Sequence, residues 1–109
     1  MRHGPAYVEL FAVLGASATQ RTQARRALRG LATREYIVVD FRRIARVTEA
    51  FVQELLSDWS WEMAEMGTAQ IEPINVAPSL QPIVDRVLRL RDVRRGQDGV
   101  MWGRGSTRD

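Results

Sequence analysis

Residues 36–56, YIVVDFRRIARVTEAFVQELL, decide the fold. Tyr36, Ile37, Val38 and Val39 form a largely β-branched apolar run too short for a helix, the composition of a parallel strand covered on both faces. Asp40 closes the run. After a turn comes Thr48, a residue suited to capping a helix because its hydroxyl accepts a bond from a free backbone N–H. Beyond it, Phe51, Val52, Leu55, Leu56, Trp59 and Met63 recur at spacings of one, three and four, which predicts a helix with one buried face.

Working towards the N-terminus, residues 7–14, YVELFAVL, carry apolar side chains on both faces of an extended chain except at Glu9, and predict a first strand. Gly15 permits a turn, and Ser17 with Gln20 has capping-box spacing, which predicts a helix over residues 18–32. Its apolar side is thin, made of Ala24, Ala27, Leu28 and Leu31. Arg21, Arg25 and Arg29 repeat at intervals of four along another line and are expected on a solvated face.

Towards the C-terminus, Gly67 ends the helical pattern, and residues 70–76, QIEPINV, supply a third strand. Pro73 cannot donate to a ladder, so this strand either starts near Ile74 or lies at a sheet edge. From Ser79 a last helix aligns Leu80, Ile83, Val84, Val87 and Leu88, with Pro82 in its first turn. Residues 94–109 are rich in Arg and Gly without periodicity, the composition of a disordered tail. The expectation is one α/β domain over residues 1–93. It has the order βαβαβα, a mostly parallel sheet of three to four strands, three helices and right-handed crossovers.

Composition narrows the function. The 109 residues contain no cysteine and a single histidine, His3, so disulfides, thiolate chemistry and thiolate metal sites are excluded and no metal or cofactor is expected. No apolar run is long enough to span a bilayer and the first residues lack the apolar centre of a secretory signal, which predicts a cytoplasmic protein away from the membrane. The net charge of +3 hides a polarity: residues 47–85 hold seven acidic side chains and no basic one, and every basic residue elsewhere is arginine.

The stretch DFRRIARVTEAFVQELL resembles a STAS-like bacterial family of unknown function, related to STAS and anti-sigma-factor antagonist domains. Asp40, Phe41, Phe51, Glu54 and Leu55 carry the resemblance, and residues 71–88, IEPINVAPSLQPIVDRVL, resemble the closing strand and helix of that fold. The resemblance covers roughly residues 7–90. It implies a non-catalytic protein–protein interaction module in a signalling or regulatory assembly that works by partner switching. The implied partner is a kinase-like ATP-binding regulator, an anti-sigma factor or a larger assembly to which this chain is a subunit. In such regulators a serine at the start of the helix after the central strand is phosphorylated. Aligned on Asp40, that position is Ala50, with Glu49 bringing a fixed negative charge beside it, so Thr48 is the nearby hydroxyl left to phosphorylate. The alternative role of Thr48 is a helix cap.

The expected partner-binding surface is Thr48, Glu49 and Ala50 at the helix start, with Gln53, Glu54, Ser57, Asp58 and Trp61 beside them. Glu54, Asp58, Trp61 and Glu65 fall on one line, which reads either as an interface with an aromatic anchor or as a solvated acidic face with Trp61 tucked against Pro73 or the tail. The arginines of residues 21–29 and of the tail suggest a second class, a nucleic-acid-associated accessory protein, although no base-reading motif accompanies them. A catalytic role for Asp40 lacks a histidine, cysteine or lysine partner inside the domain. The simpler reading is that it anchors its turn through Arg42, Arg43 or backbone amides, and no catalytic residue is assigned.

Overall fold

A computed structural model of the chain describes residues 5–63 and 70–102. In chain order the elements are β1 (Ala6–Glu9), α1 (Leu10–Leu14), β2 (Ser17–Ala18), α2 (Arg21–Ala27), β3 (Tyr36–Asp40), β4 (Arg46–Val47) and α3 (Glu49–Gln53). A π-helical turn (Glu54–Asp58), α4 (Trp59–Met63), β5 (Gln70–Ile74) and α5 (Gln81–Trp102) follow. His3, Glu65 and Gly67, singled out in the sequence, and the tail arginines Arg104 and Arg108 lie outside the described residues.

The fold is α/β. β1, β3 and β5 form a parallel sheet in that order, with Val8 opposite Val39 and Ile37 opposite Ile71. Pro73 lies within β5, opposite Val39, and is tolerated because β5 is an edge strand. Both crossovers step the same way across the sheet, so right-handed connections put their helices on one face. Val8, Ile37, Val39 and Ile71 point into that layer and are buried, whereas Tyr7 and Tyr36 on the opposite face are 59% and 38% exposed. Among the described residues, the strand expected to be covered on both faces has helices on one.

The long helix after Thr48 runs without a break through α3, the π turn and α4. It lies between α2 and α5, both of which pack against it, while its underside meets the sheet. That central position corrects the expectation of one buried face: Phe51, Val52, Leu55, Leu56 and Trp59 are buried, and so are Glu54, Ser57 and Ser60. Burying a side chain such as Leu55 or Phe51 contributes roughly 1.5–3 kcal/mol. This helix is the hub of the core.

The sequence pattern misplaces two boundaries. Residues 7–14 do not form one strand: β1 ends at Glu9, and Leu10–Leu14 makes a helical turn closed by the Gly15 amide on the Phe11 carbonyl at 2.9 Å. Leu10 is buried and Leu14 half-buried, a four-residue spacing that serves a helix as well as alternation serves a strand. Ser17 is not a cap, because Ser17 and Ala18 pair in parallel with Arg46 and Val47. The capping box belongs to Gln20 and Gln23, whose side chains each bond the other's backbone amide, and α2 begins at Arg21. At the other end, Leu80, Val84 and Val87 of the last helical segment are buried as their spacing predicts, and α5 runs on past Arg94 to Trp102.

Candidate functional site

The start of the central helix is fixed by Thr48. Its hydroxyl accepts from the Phe51 amide at 3.2 Å, the N-cap bond, and donates to the Thr19 carbonyl at 2.6 Å. The short β2–β4 pairing brings Thr19 there. Both capacities of the hydroxyl that matter for capping are thus engaged within the chain. Next to it, Glu49 pairs with Arg86 of α5 at 2.8 Å, both side chains being about half exposed, and Ala50 and Gln53 are half-buried.

From Glu54 onward the expected surface turns inward. The Glu54 carboxylate is 1% exposed and accepts from Arg21 at 3.1 Å and Arg25 at 3.2 Å. Arg21 also binds Asp58 at 2.8 Å, and Asp58 accepts from Arg94 at 3.1 Å. Arg94 lies 4.7 Å from the Trp61 ring centroid, within cation–π range, and reaches the buried Ser57 hydroxyl at 3.4 Å. The charges therefore alternate as Arg25, Glu54, Arg21, Asp58, Arg94 across α2, the central helix and α5. The hydrogen bond to Asp58 raises the Arg21 pKa, against partial desolvation, and Glu54 adds to the rise.

This seam corrects two expectations. Glu54 and Ser57 do not face solvent, and Arg21 and Arg25 are not an idle solvated line. The reason is the position of the helix between two others: a line away from its sheet-facing side meets α2 and α5 rather than water. Of the eight residues expected to meet a partner, Thr48, Glu49, Ala50 and Gln53 form a half-buried rim, Asp58 and Trp61 join the seam, and Glu54 and Ser57 are enclosed.

A second polar cluster stands at the C-terminal end of β3. Asp40 is fully buried, and one oxygen accepts from the Arg42 amide at 2.9 Å and the Asn75 side-chain amide at 3.0 Å. Its other oxygen accepts from the Tyr7 hydroxyl and lies 3.8 Å from the Arg42 guanidinium. Burial pushes the Asp40 pKa up, but the hydrogen bonds from Tyr7, Arg42 and Asn75 outweigh it and hold the carboxyl below its ordinary value. The same bond to Asp40 raises the Tyr7 phenol. Asn75, with φ of 57°, adopts the left-handed conformation that asparagine tolerates. Arg42 anchors the turn as expected; Arg43, with φ of 68°, instead lies over the Phe11 ring at 5.6 Å.

Beside this cluster runs the sheet face that no described helix covers. Alternation puts Tyr7 and Glu9 of β1, Tyr36 and Val38 of β3, and Gln70, Glu72 and Ile74 of β5 on it. Among the described residues, Glu9 and Glu72 have no basic partner, and no helix covers the tyrosines. No protein-family model, curated protein or solved structure matches the chain.

Sequence reasoning missed the part played by four residues. Arg21 and Arg25 carried a signal, since their four-residue spacing matches that of Glu54 and Asp58 on the facing helix. Arg91 carried none: it is buried and donates to the carbonyls of Leu56 in the π turn at 3.3 Å and Ile71 in β5 at 3.0 Å. The sequence pattern puts Asn75 in the third strand over residues 70–76, whereas β5 ends at Ile74 and Asn75 turns the chain in the left-handed conformation.

Proposed function

We propose that this chain is a STAS-like, non-catalytic protein-binding module of a bacterial regulatory assembly in the cytoplasm. Its partner is a kinase-like ATP-binding regulator, an anti-sigma factor or a larger assembly in which the chain is a subunit. The observation that carries this reading is the bare parallel sheet. Such sheets are ordinarily covered on both faces, and here Tyr7, Tyr36, Val38 and Ile74 lie where a second layer would sit. Tyrosines are favoured interface anchors, and Glu9 and Glu72, without a basic partner among the described residues, flank them, so the fitting partner presents apolar groups bordered by basic ones. The rim of Thr48, Glu49, Ala50 and Gln53 is a smaller, separate surface. With alanine at position 50 and the Thr48 hydroxyl engaged at the helix cap, binding on this reading is constitutive and not gated by phosphate.

A photo-crosslinking residue placed at Tyr36, and separately at the exposed Arg89 of α5, tests the proposal in the native host. The expected outcome is one defined protein adduct from position 36 and not from position 89. Tyr36→Arg weakens co-purification of that protein more than Tyr36→Glu, with the melting temperature unchanged. Equal adducts from both positions, or equal effects of the two substitutions, would sink the reading.

A further inference from the structure

The arginines of residues 21–29 divide into two sets. Arg21 and Arg25 reach the central helix and are neutralised there by Glu54 and Asp58. Arg26 and Arg29 point away, are exposed, and have no carboxylate partner among the described residues. Arg26 is in the last turn of α2 and Arg29 just past its Leu28 cap, and both side chains border the same stretch of surface.

These two side chains wall two adjoining hollows in the surface. One, of about 530 Å³, is polar and includes Thr19, Gln20 and Thr22. The other, of about 330 Å³, is floored by Leu28, Ala32 and Trp59. Thr22, Arg26 and Arg29 line both, so the guanidiniums and a hydroxyl stand at the junction of a polar and an apolar compartment. A solvated basic helix end accounts for the charges but not for their place between two hollows of ligand size.

We infer that this groove binds a small phosphate ester carrying a compact apolar or aromatic group. The phosphate sits between Arg26 and Arg29 with the Thr22 hydroxyl as a further donor, since guanidinium forks match phosphate oxygens in pairs. The apolar group enters the Leu28, Ala32 and Trp59 side. Polar substituents on the ester meet Thr19 and Gln20. The groove belongs to the helical layer and is separate from the bare sheet face, so this inference stands or falls independently of the protein-docking proposal.

Phenyl phosphate is the test ligand, titrated into the full chain at low salt by calorimetry and by amide chemical shifts, with inorganic phosphate and phenol as comparisons. Saturable binding tighter than either comparison is expected, with shifts centred on Thr22, Arg26, Arg29 and the Trp59 indole. Arg26→Gln with Arg29→Gln lowers affinity by about tenfold or more, because two charge-assisted bonds are lost. The melting temperature stays put, since neither side chain has a carboxylate partner among the described residues. Thr22→Val gives a smaller loss. Unsaturable binding, shifts elsewhere, or unchanged affinity in the double variant overturns the inference. So does displacement of phenyl phosphate by a single-stranded oligonucleotide whose affinity falls with a slope of several in log salt, which identifies a nucleic-acid surface instead.

Discussion

Replacing Arg21 and Arg25 together with alanine removes both guanidiniums that hold the enclosed Glu54 carboxylate. Breaking a buried ion pair from one side costs roughly 3–5 kcal/mol, because a charge is left without water or partner. Here the arginine side chains are 40% and 54% exposed, so solvent already reaches the seam and screens it. The expected loss is therefore about 2–3 kcal/mol, from a total stability on the order of 5–15 kcal/mol. The opposite change, Glu54→Leu, removes the buried charge and leaves two solvated arginines, one still paired with Asp58. Its expected effect is within about 1 kcal/mol of zero, in either direction. Adding Glu54→Leu to the double variant then restores most of the loss. Equilibrium urea denaturation followed by tryptophan fluorescence and far-ultraviolet dichroism measures all four proteins. A Glu54→Leu variant less stable than the double arginine variant, or a triple variant no better than the double, would refute the assignment of the cost to a stranded carboxylate.

Four further outcomes are expected. Thr48→Ala loses the N-cap and the tie to Thr19 and lowers stability by about 1–2 kcal/mol in urea titration, while Thr48→Ser retains most of it. Asp40 has a folded pKa below its ordinary value of 3.8, so its contribution is complete above that value and is lost as pH falls through the lower folded one; Asp40→Asn makes the acid limb of the stability–pH curve shallower. Tyr7 is raised above 10.0, so its contribution is present below that pH and lost above it, and Tyr7→Phe removes that alkaline limb. Arg94→Ala uncovers Trp61 and breaks the bond to Asp58, which changes the tryptophan emission while stability moves by less than about 1 kcal/mol.

Local chemistry was legible where one short rule governs it. The β-branched run of β3, the Thr48 cap and the apolar line of α5 each follow from neighbours within a few residues. So does the edge position implied by Pro73. What escaped depends on which elements become neighbours. Whether Glu54 meets water or Arg21 is decided by α2 lying against the central helix, and whether β3 is covered once or twice is decided by the direction of both crossovers. Residues 7–14 were ambiguous for another reason, because apolar side chains on both faces fit a strand or a helical turn equally. The π turn did leave a trace: Phe51 and Val52, Leu55 and Leu56, Trp59 and Ser60 repeat at a strict interval of four, and all are buried. A regular helix drifts about 40° over each such interval, so a wider turn is needed to keep the pairs in line.

That wider turn gives the helix one residue of slack. Removing a single residue between Glu54 and Asp58 lets it close to ordinary winding with the helix on either side kept nearly in phase, because the wide turn holds one residue more than an α-helical one. Trp59 then stays in the interior and Asp58 stays on the side of Arg21 and Arg94. A one-residue deletion is thus absorbed at this turn, whereas the same deletion within the regular winding of α5 would rotate everything beyond it by about 100°.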